Sequence, residues 1–416
     1  MIDSTTLDSG LTVITERIPW VRSVSAGFWV GTGSRDEGDG LFGASHFLEH
    51  LLFKGTPERT ARRIAEDVDA VGGDMNAFTT KEYTAFYLRV LDQSLDLGLD
   101  ILSDILWSPA FRPEEVEAER QVILEEILMR ADEPADLVHE VFMEALFPEH
   151  PVGREVLGDE PSIEAMSRTD IASFHQHHYR PGNMVFAAAG NLEHAAIVDG
   201  IERRFAGPEG GAKPLRTPPT AGPQPLAVDP RPTEQVHVVC GVRSLPSHSD
   251  DRYALAVVNH VLGGGLSSRL FQKIREERGL AYSVYSYRSA LADTGSLAVY
   301  AGTMPARASE VLDLISAELD AMASSGITER ELAVAKGHLV GEMALSLEDS
   351  AARMSRIGRS QLLHGTVLTV DDVVSLIDAV TVDDAGRVAA SVLGGERVLA
   401  VVGPVEDGAF DTSRVA

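Results

Sequence analysis

The sequence predicts an α+β protein of two homologous domains, each a mainly antiparallel sheet with helices packed on one face. Three observations carry that prediction: a length of 416 residues, a mid-chain run dense in proline and glycine, and one order of elements recurring on either side of it. A chain this long exceeds the usual reach of a single hydrophobic core. At 44% hydrophobic and 24% charged residues it has a globular rather than a disordered composition.

The run "GPEGGAKPLRTPPTAGPQPLAVDPRP", residues 207–232, lacks apolar periodicity and reads as an extended linker. It separates a first domain over 1–206 from a second over 233–416. In the first, the strand-like "DMNAFTTKEYTAFYLRV" precedes two helical stretches, "QSLDLGLDILSDIL" and "RPEEVEAERQVILEEI". In the second, "YSVYSYRSALADTGSLAVYAGT" precedes "ASEVLDLISAEL" and "TERELAVAKGHLVGEM". Hairpin-like strand pairs followed by long helices give the α+β class. The copies differ at one place. Where the first has "SHFLEHL" the second has "NHVLGGG", which keeps His260 but neither the glutamate nor the second histidine. Chemistry is expected in the first copy, and the holding of a partner or substrate in the second.

That chemistry centres on "GASHFLEHLLFKGT", Gly43 to Thr56. On a helix, positions i, i+3 and i+4 share a face, which brings His46, Glu49 and His50 together. Phe42 and Phe53 fall on the same stripe and Phe47, Leu48 and Leu51 on the opposite side, a pattern that predicts a buried helix. Unsatisfied polar groups there would each cost on the order of 1 to 3 kcal/mol. A metal ion removes the cost, since two imidazoles one turn apart can share it and the glutamate can hold a water beside it. The order His-x-x-Glu-His is the zincin motif reversed. The competing reading is a pair of core histidines satisfied by backbone groups.

Catalytic zinc commonly keeps three protein ligands, so a third is needed. In "RPEEVEAERQVILEEILMR" the apolar arc is set by Val116, Val122, Ile123 and Ile127. At about 100° per residue from Val116, Glu126 falls near about 280° and Glu119 near about 300°, whereas Glu125 lies at about 180°. Glu126 therefore faces the core and is read as the ligand. Glu119, two turns earlier, is read as an outer carboxylate that orients a ligand, or else as the ordinary flank of an amphipathic helix.

The formal charge is −27 with no run of Lys and Arg, which argues against a phosphate-binding surface for nucleic acid and favours basic peptides as partners. Cys240 is alone, so a reducing compartment is expected. The opening "MIDSTTLDSG" has no apolar export segment and no apolar run approaches a bilayer span, so a cytoplasmic location without membrane contact is expected. The turn "LGGGLSS" lacks the Gly-Lys-Ser/Thr ending of a phosphate loop and reads as a hinge or close-packing turn.

The segments "HFLEHLLFKGT", "GGDMNAFTTKEYTAFY" and "ERQVILEE", together with "HYRPGNMVFAAAGN" and "LSSRLFQKIREERGLAYSVYSY", resemble the pitrilysin-type (inverzincin) zinc metallopeptidases. Within them they resemble the processing-peptidase branch that includes the mitochondrial processing peptidase β subunit. Glu126 follows His50 by 76 residues, the spacing typical of that family. The resemblance implies one Zn²⁺ per chain held by His46, His50 and Glu126, with Glu49 as general base for a zinc-bound water. It implies a zinc-dependent endopeptidase for unfolded or short peptides, with two domains that close like a clam. Asn76 and Ala77 would lie on the strand to which substrate adds. Arg275 and Tyr282 would contact substrate backbone; by their own pattern they are a surface arginine on an amphipathic helix and a strand tyrosine. A homodimer is implied as well. The family also contains inactive partner subunits, and heterodimers that divide the metal motif and the Arg-Tyr pair between chains. This chain has both sets, which points to a self-sufficient enzyme.

Overall fold

A computed structural model describes residues 2–406, 408 and 410. The elements begin with β1 (Ile2–Thr6), β2 (Thr12–Arg17), β3 (Ser23–Val30), α1 (Ala44–Leu52), α2 (Ala61–Asp69), β4 (Asp74–Thr79), β5 (Thr84–Leu91), α3 (Leu95–Trp107) and α4 (Pro113–Ala131). They continue through α5 (Pro134–Leu146), α6 (Glu160–Ala165), α7 (Arg168–His178), β6 (Met184–Gly190), α8 (His194–Arg204), β7 (Leu226–Pro230) and β8 (Val236–Ser244). Then come α9 (Arg252–Gly263), β9 (Ala281–Ala290), β10 (Gly295–Thr303), α10 (Ala308–Ser325), α11 (Glu329–Ser346), α12 (Ser350–His364), α13 (Val370–Asp378), α14 (Val382–Leu393) and β11 (Arg397–Gly403).

The strands form two sheets, ordered β1-β2-β6-β3-β5-β4 and β7-β11-β8-β10-β9. Each is antiparallel except for one pair, β2 with β6 and β7 with β11. Aligned from the β4 and β9 edges, five strands correspond one for one, and β1 is the first sheet's addition. The predicted α+β duplication is therefore present in the connectivity itself. Among the described residues β4 pairs only with β5, which leaves its other edge without a strand partner.

Strand β3 is buried along almost its whole length, the mark of a strand covered on both faces. On one face Phe28, Phe86 and Leu88 pack with Phe47 and Leu48 of α1 and Leu99 and Leu102 of α3. On the other, Trp29, Ala85, Val185 and Ala187 pack with Met354, Ile357 and Leu362 of α12, an element from the far end of the chain. A Cβ on Gly358 would stand 2.8 Å from the Trp29 ring, so a residue without a side chain lets α12 seat there. The second sheet repeats the arrangement. Val238 and Cys240 face α9, α10 and α14, while Val239, Ala298 and Ala400 are covered by Val138, Phe142 and Leu146 of α5. Each sheet thus has its helical layer on one face, as predicted, and on the other face one helix from the opposite half of the sequence.

This exchange corrects the contiguous division at 206 and 233. One compact unit comprises the chain up to Ile127, Glu155–Arg216 and Leu345–Val367; the other comprises Leu128–Arg154, Thr217–Ala344 and the chain from Leu368 on. The linker reading of 207–232 is corrected too. Its first ten residues belong to the first unit, and Leu226–Pro230 form β7, whose backbone pairs in parallel with Leu399–Gly403. Among the described residues, no helix is long and apolar enough to cross a membrane.

Candidate metal centre

Helix α1 starts at Gly43, whose φ of +88° suits glycine, and an added Cβ would meet the Leu157 carbonyl oxygen at 2.4 Å. From there Phe47, Leu48, Leu51 and Leu52 turn into the core. His46, Glu49 and His50 share the opposite stripe. That stripe is half-covered rather than closed, with the His46 side chain 12% and the His50 side chain 18% exposed. The expectation of a helix buried on all sides is corrected accordingly, because the stripe faces the carboxylates of α4 instead of apolar side chains.

The buried positions of α4 are Val116, Glu119, Arg120 and Ile123. Val122 is 43% exposed and does not belong to the arc predicted for it. The arc is rotated toward Arg120, whose guanidinium lies 5.4 Å over the Phe47 ring. Glu126 consequently stands at the rim, with its side chain 37% exposed, and Glu125 is exposed.

The histidine rings are 4.6 Å apart at 65°. Glu126 Oε2 lies 3.7 Å from His46 Nε2 and 3.6 Å from His50 Nε2. Among the described residues these three alone bring ligand-type atoms within 4.8 Å of one another. Zinc bonds of about 2.0 to 2.1 Å in a tetrahedron set ligand atoms about 3.3 to 3.4 Å apart, and the two separations from Glu126 exceed that by only a few tenths of an ångström. Two imidazoles and a carboxylate are also a donor set that zinc takes.

The two histidines are held differently. His50 Nδ1 is 2.7 Å from Glu119 Oε1, and Glu119 Oε2 is 2.5 Å from Lys54 Nζ. With Nδ1–H donated to Glu119, the Nε2 lone pair points away from it, toward Glu126. Burial opposes charge on His50, but the Glu119 bond and the charges of Glu126, Glu119 and Glu49 outweigh it and raise its pKa. Burial also opposes charge on Glu119, and the bonds from His50 and Lys54 outweigh that, lowering its pKa. His46 Nδ1 is buried with no hydrogen-bond partner. Burial and the neighbouring His50 push His46 down to about 4, which keeps its ring neutral at neutral pH.

Glu49 Oε2 accepts the Thr79 hydroxyl proton at 2.5 Å, tying α1 to β4. Burial raises the Glu49 pKa against the pull of that bond. On the same strand Asn76 is exposed and Ala77 buried. Arg275 and Tyr282 lie in the second unit and meet one another there. Phe271–Glu276 is a π-helical turn, not a regular helix flank, and it lays the Arg275 guanidinium 4.8 Å over Phe271 and 4.6 Å over Tyr282. Arg275 also donates to the Tyr282 carbonyl at 2.9 Å. His260 of the second copy is buried and stacks on His338 at 4.2 Å.

Sequence reasoning missed three residues. Lys54 follows His50 by one helical turn, a spacing that marks it as its neighbour. Thr79 gave no signal beyond its strand. Glu37 sits in a loop, outside any periodicity, yet its Oε2 and Oε1 accept the Gly43 and Ser45 N–H groups, both at 2.8 Å. Burial pushes its carboxyl up to about 8 against those two bonds, and Asp36 adds to the rise.

Comparison with known proteins adds a lineage to this geometry. Residues 12–160 match the family model described as insulinase (peptidase family M16), and residues 165–339 match the one described as peptidase M16 inactive domain. An uncharacterized zinc protease of Mycobacterium leprae is 47% identical over 410 residues, covering 96% of this chain and 91% of that protein. One of Bacillus subtilis is 37% identical over 404 residues, covering 97% and 98%. Among solved structures, a peptidase M16 inactive domain from Pseudomonas fluorescens matches with a TM-score of 0.91 at 20% identity, over 98% of both chains. A protease from Helicobacter pylori matches with a TM-score of 0.87 at 24% identity, over 97% of this chain and 99% of its own. Those two likenesses show the fold. With both halves matched in order and relatives aligned over nearly its whole length, the chain belongs to peptidase family M16, the pitrilysin-type metallopeptidases.

Proposed function

We propose that the protein is a zinc-dependent endopeptidase that hydrolyses unfolded or short peptides. His46, His50 and Glu126 hold one Zn²⁺ per chain. The observation that supports this most is the meeting of two imidazole nitrogens and one carboxylate oxygen from α1 and α4. The names of the relatives, zinc proteases, agree with it. When bound, zinc supplies an acidified water and a Lewis acid for the scissile carbonyl.

The chain's own groups do the rest. Glu49 takes a proton and returns it to the leaving amine, a role suited to a carboxylate whose pKa burial has raised. Thr79 holds one oxygen of Glu49, which fixes where the proton is received. Glu119 orients His50 through Nδ1. The free edge of β4, with Asn76 and Ala77, takes the peptide as an added strand. Arg275 and Tyr282 contact the backbone of that peptide. The protein works in the cytoplasm, consistent with its lone buried Cys240 thiol, and as a homodimer.

Purified protein is expected to contain about one zinc per chain and to lose peptidase activity to a chelator. A mixed peptide library, with products read by mass spectrometry, tests activity and cleavage preference together. Full activity in metal-free protein would end the proposal.

A further inference from the structure

We infer that Glu37 is a positioning residue for the metal site: its carboxyl caps the first turn of α1 from a neighbouring loop and so fixes where His46 stands. The inference rests on the proposed reading of His46, His50 and Glu126 as ligands.

The reasoning begins with what α1 lacks. A helix leaves its first backbone N–H groups without intrahelical partners, and a Ser, Thr, Asp or Asn just before it usually supplies an acceptor. Here the preceding residue is Gly43 at φ +88°, where a Cβ would strike the Leu157 carbonyl at 2.4 Å and Ile163 Cδ1 at 2.7 Å. No capping side chain fits there. The Ala44 N–H reaches the Leu41 carbonyl at 3.0 Å, and Glu37 receives the Gly43 and Ser45 N–H groups on its two oxygens. One buried carboxyl thus replaces the cap that glycine cannot provide.

The loop carrying Glu37 is itself anchored. Asp36 accepts two bonds from Arg216, at 2.9 Å and 2.7 Å, and the Gly33 N–H at 3.0 Å. Arg35 pairs with Glu82 at 2.6 Å. Glu37 is therefore a strut between a fixed loop and the helix start, with Ser45 directly before His46.

The second half of the argument is the asymmetry of the histidines. Glu119 fixes the His50 ring through Nδ1, whereas His46 Nδ1 meets no partner. His46 consequently depends on its backbone and packing for its orientation. That backbone belongs to the turn Glu37 caps.

The test compares zinc affinity, measured by chelator competition per folded chain, in the wild type, Glu37→Gln, Glu37→Asp and Glu82→Gln. Glutamine keeps the volume of Glu37 but turns an amide N–H toward one of the helix donors, and aspartate is one methylene too short to span both. Both Glu37 variants should lose about 10- to 100-fold in affinity, the range for lost outer support of a metal ligand. They should shift the visible spectrum of the Co²⁺-loaded protein and lower kcat with KM nearly constant. Glu82→Gln loosens only the Arg35 end of the loop and leaves Asp36 held by Arg216 and both acceptors of Glu37 in place, so it should lower Tm with affinity within about twofold of wild type. Wild-type affinity and cobalt spectrum in Glu37→Gln would overturn the inference, as would affinity losses that track Tm alike in the Glu37 and Glu82 variants. Absence of zinc binding in the wild type would instead overturn the ligand assignment.

Discussion

Glu125 and Glu126 are chemically identical neighbours, and only the turn of α4 separates their roles. Glu126 Oε2 stands between two imidazole nitrogens while Glu125 faces solvent. Glu126→Gln should therefore lose most bound zinc and Glu125→Gln almost none, with metal content as the readout; equal loss in both would mean that the ligand is misassigned. Glu49→Gln should keep zinc and lose at least about a hundredfold in kcat, because general-base catalysis contributes about 10² to 10⁴. Stripped zinc in that variant would argue against a purely chemical role. At this scale the sequence was legible wherever a helix imposes its period. His46, Glu49 and His50 share a stripe as the count around the axis has it, and the same count prefers Glu126 to Glu125, although Glu126 stands at the rim rather than facing the core. Val122 shows the limit: as an apolar residue it was counted into the arc, yet the helix buries Arg120 instead, since a guanidinium stacked on Phe47 can be covered like a hydrophobe. Thr79 was invisible because its partner Glu49 lies on another element, and Glu37 because a loop residue has no period that shows where it points, although its partners follow within eight residues.

The placement of helices α5 and α12 was not legible in the sequence. An amphipathic pattern says that a face is buried and leaves open which sheet buries it. Gly358 is where that docking can be probed. Glycine inside a helix normally costs about 1 kcal/mol relative to alanine. Here the alanine methyl would stand 2.8 Å from Trp29 and 3.0 Å from the Ala187 methyl. Overpacking costs about 1 to 3 kcal/mol, so Gly358→Ala should lower Tm in spite of its better helix propensity. A higher Tm would show that Trp29 yields freely. The start of α11 offers a pH test. Glu331 receives two bonds from Arg269, at 2.6 Å and 2.8 Å, and closes a capping box with Thr328. The Arg269 bonds hold its pKa down to about 2. A lowered folded-state pKa contributes stability above the ordinary value of 4.5, lost as pH falls toward about 2. Glu331→Gln should cost about 1 to 2 kcal/mol at pH 7, a figure reduced for solvent screening, with most of that cost gone by about pH 2 and the rest lost below it. Denaturant midpoints across that range check it; a pH-independent difference would assign the effect to lost hydrogen bonds alone.

For the whole molecule, duplication was readable because repeated element order survives sequence divergence, whereas the exchange of helices left no local trace. The net charge of −27 bears on substrate capture rather than chemistry. Basic peptides should be cleaved faster at low salt than at high salt, as screening shortens the reach of the field. Arg275→Ala and Tyr282→Phe should bind zinc normally and cleave poorly, since they would orient the peptide without touching the ion. Wild-type cleavage rates in both, with zinc intact, would remove the second unit from substrate handling. A compact folded protein should resist digestion throughout.

The helix exchanged onto the first sheet also sets a timetable for synthesis. Ile14, Trp29, Val185 and Ala187 lie on a face whose cover, Met354 to Leu362, leaves the ribosome only after α11 has been made. At roughly 5 to 20 residues per second, the interval between finishing Arg216 and finishing α12 is on the order of ten seconds. During that time the nascent first half carries a bare apolar sheet, the kind of surface that chaperones hold and that aggregates when they do not. For the same reason a fragment cut after Arg216 should be insoluble alone and rescued by a peptide carrying residues 345–367.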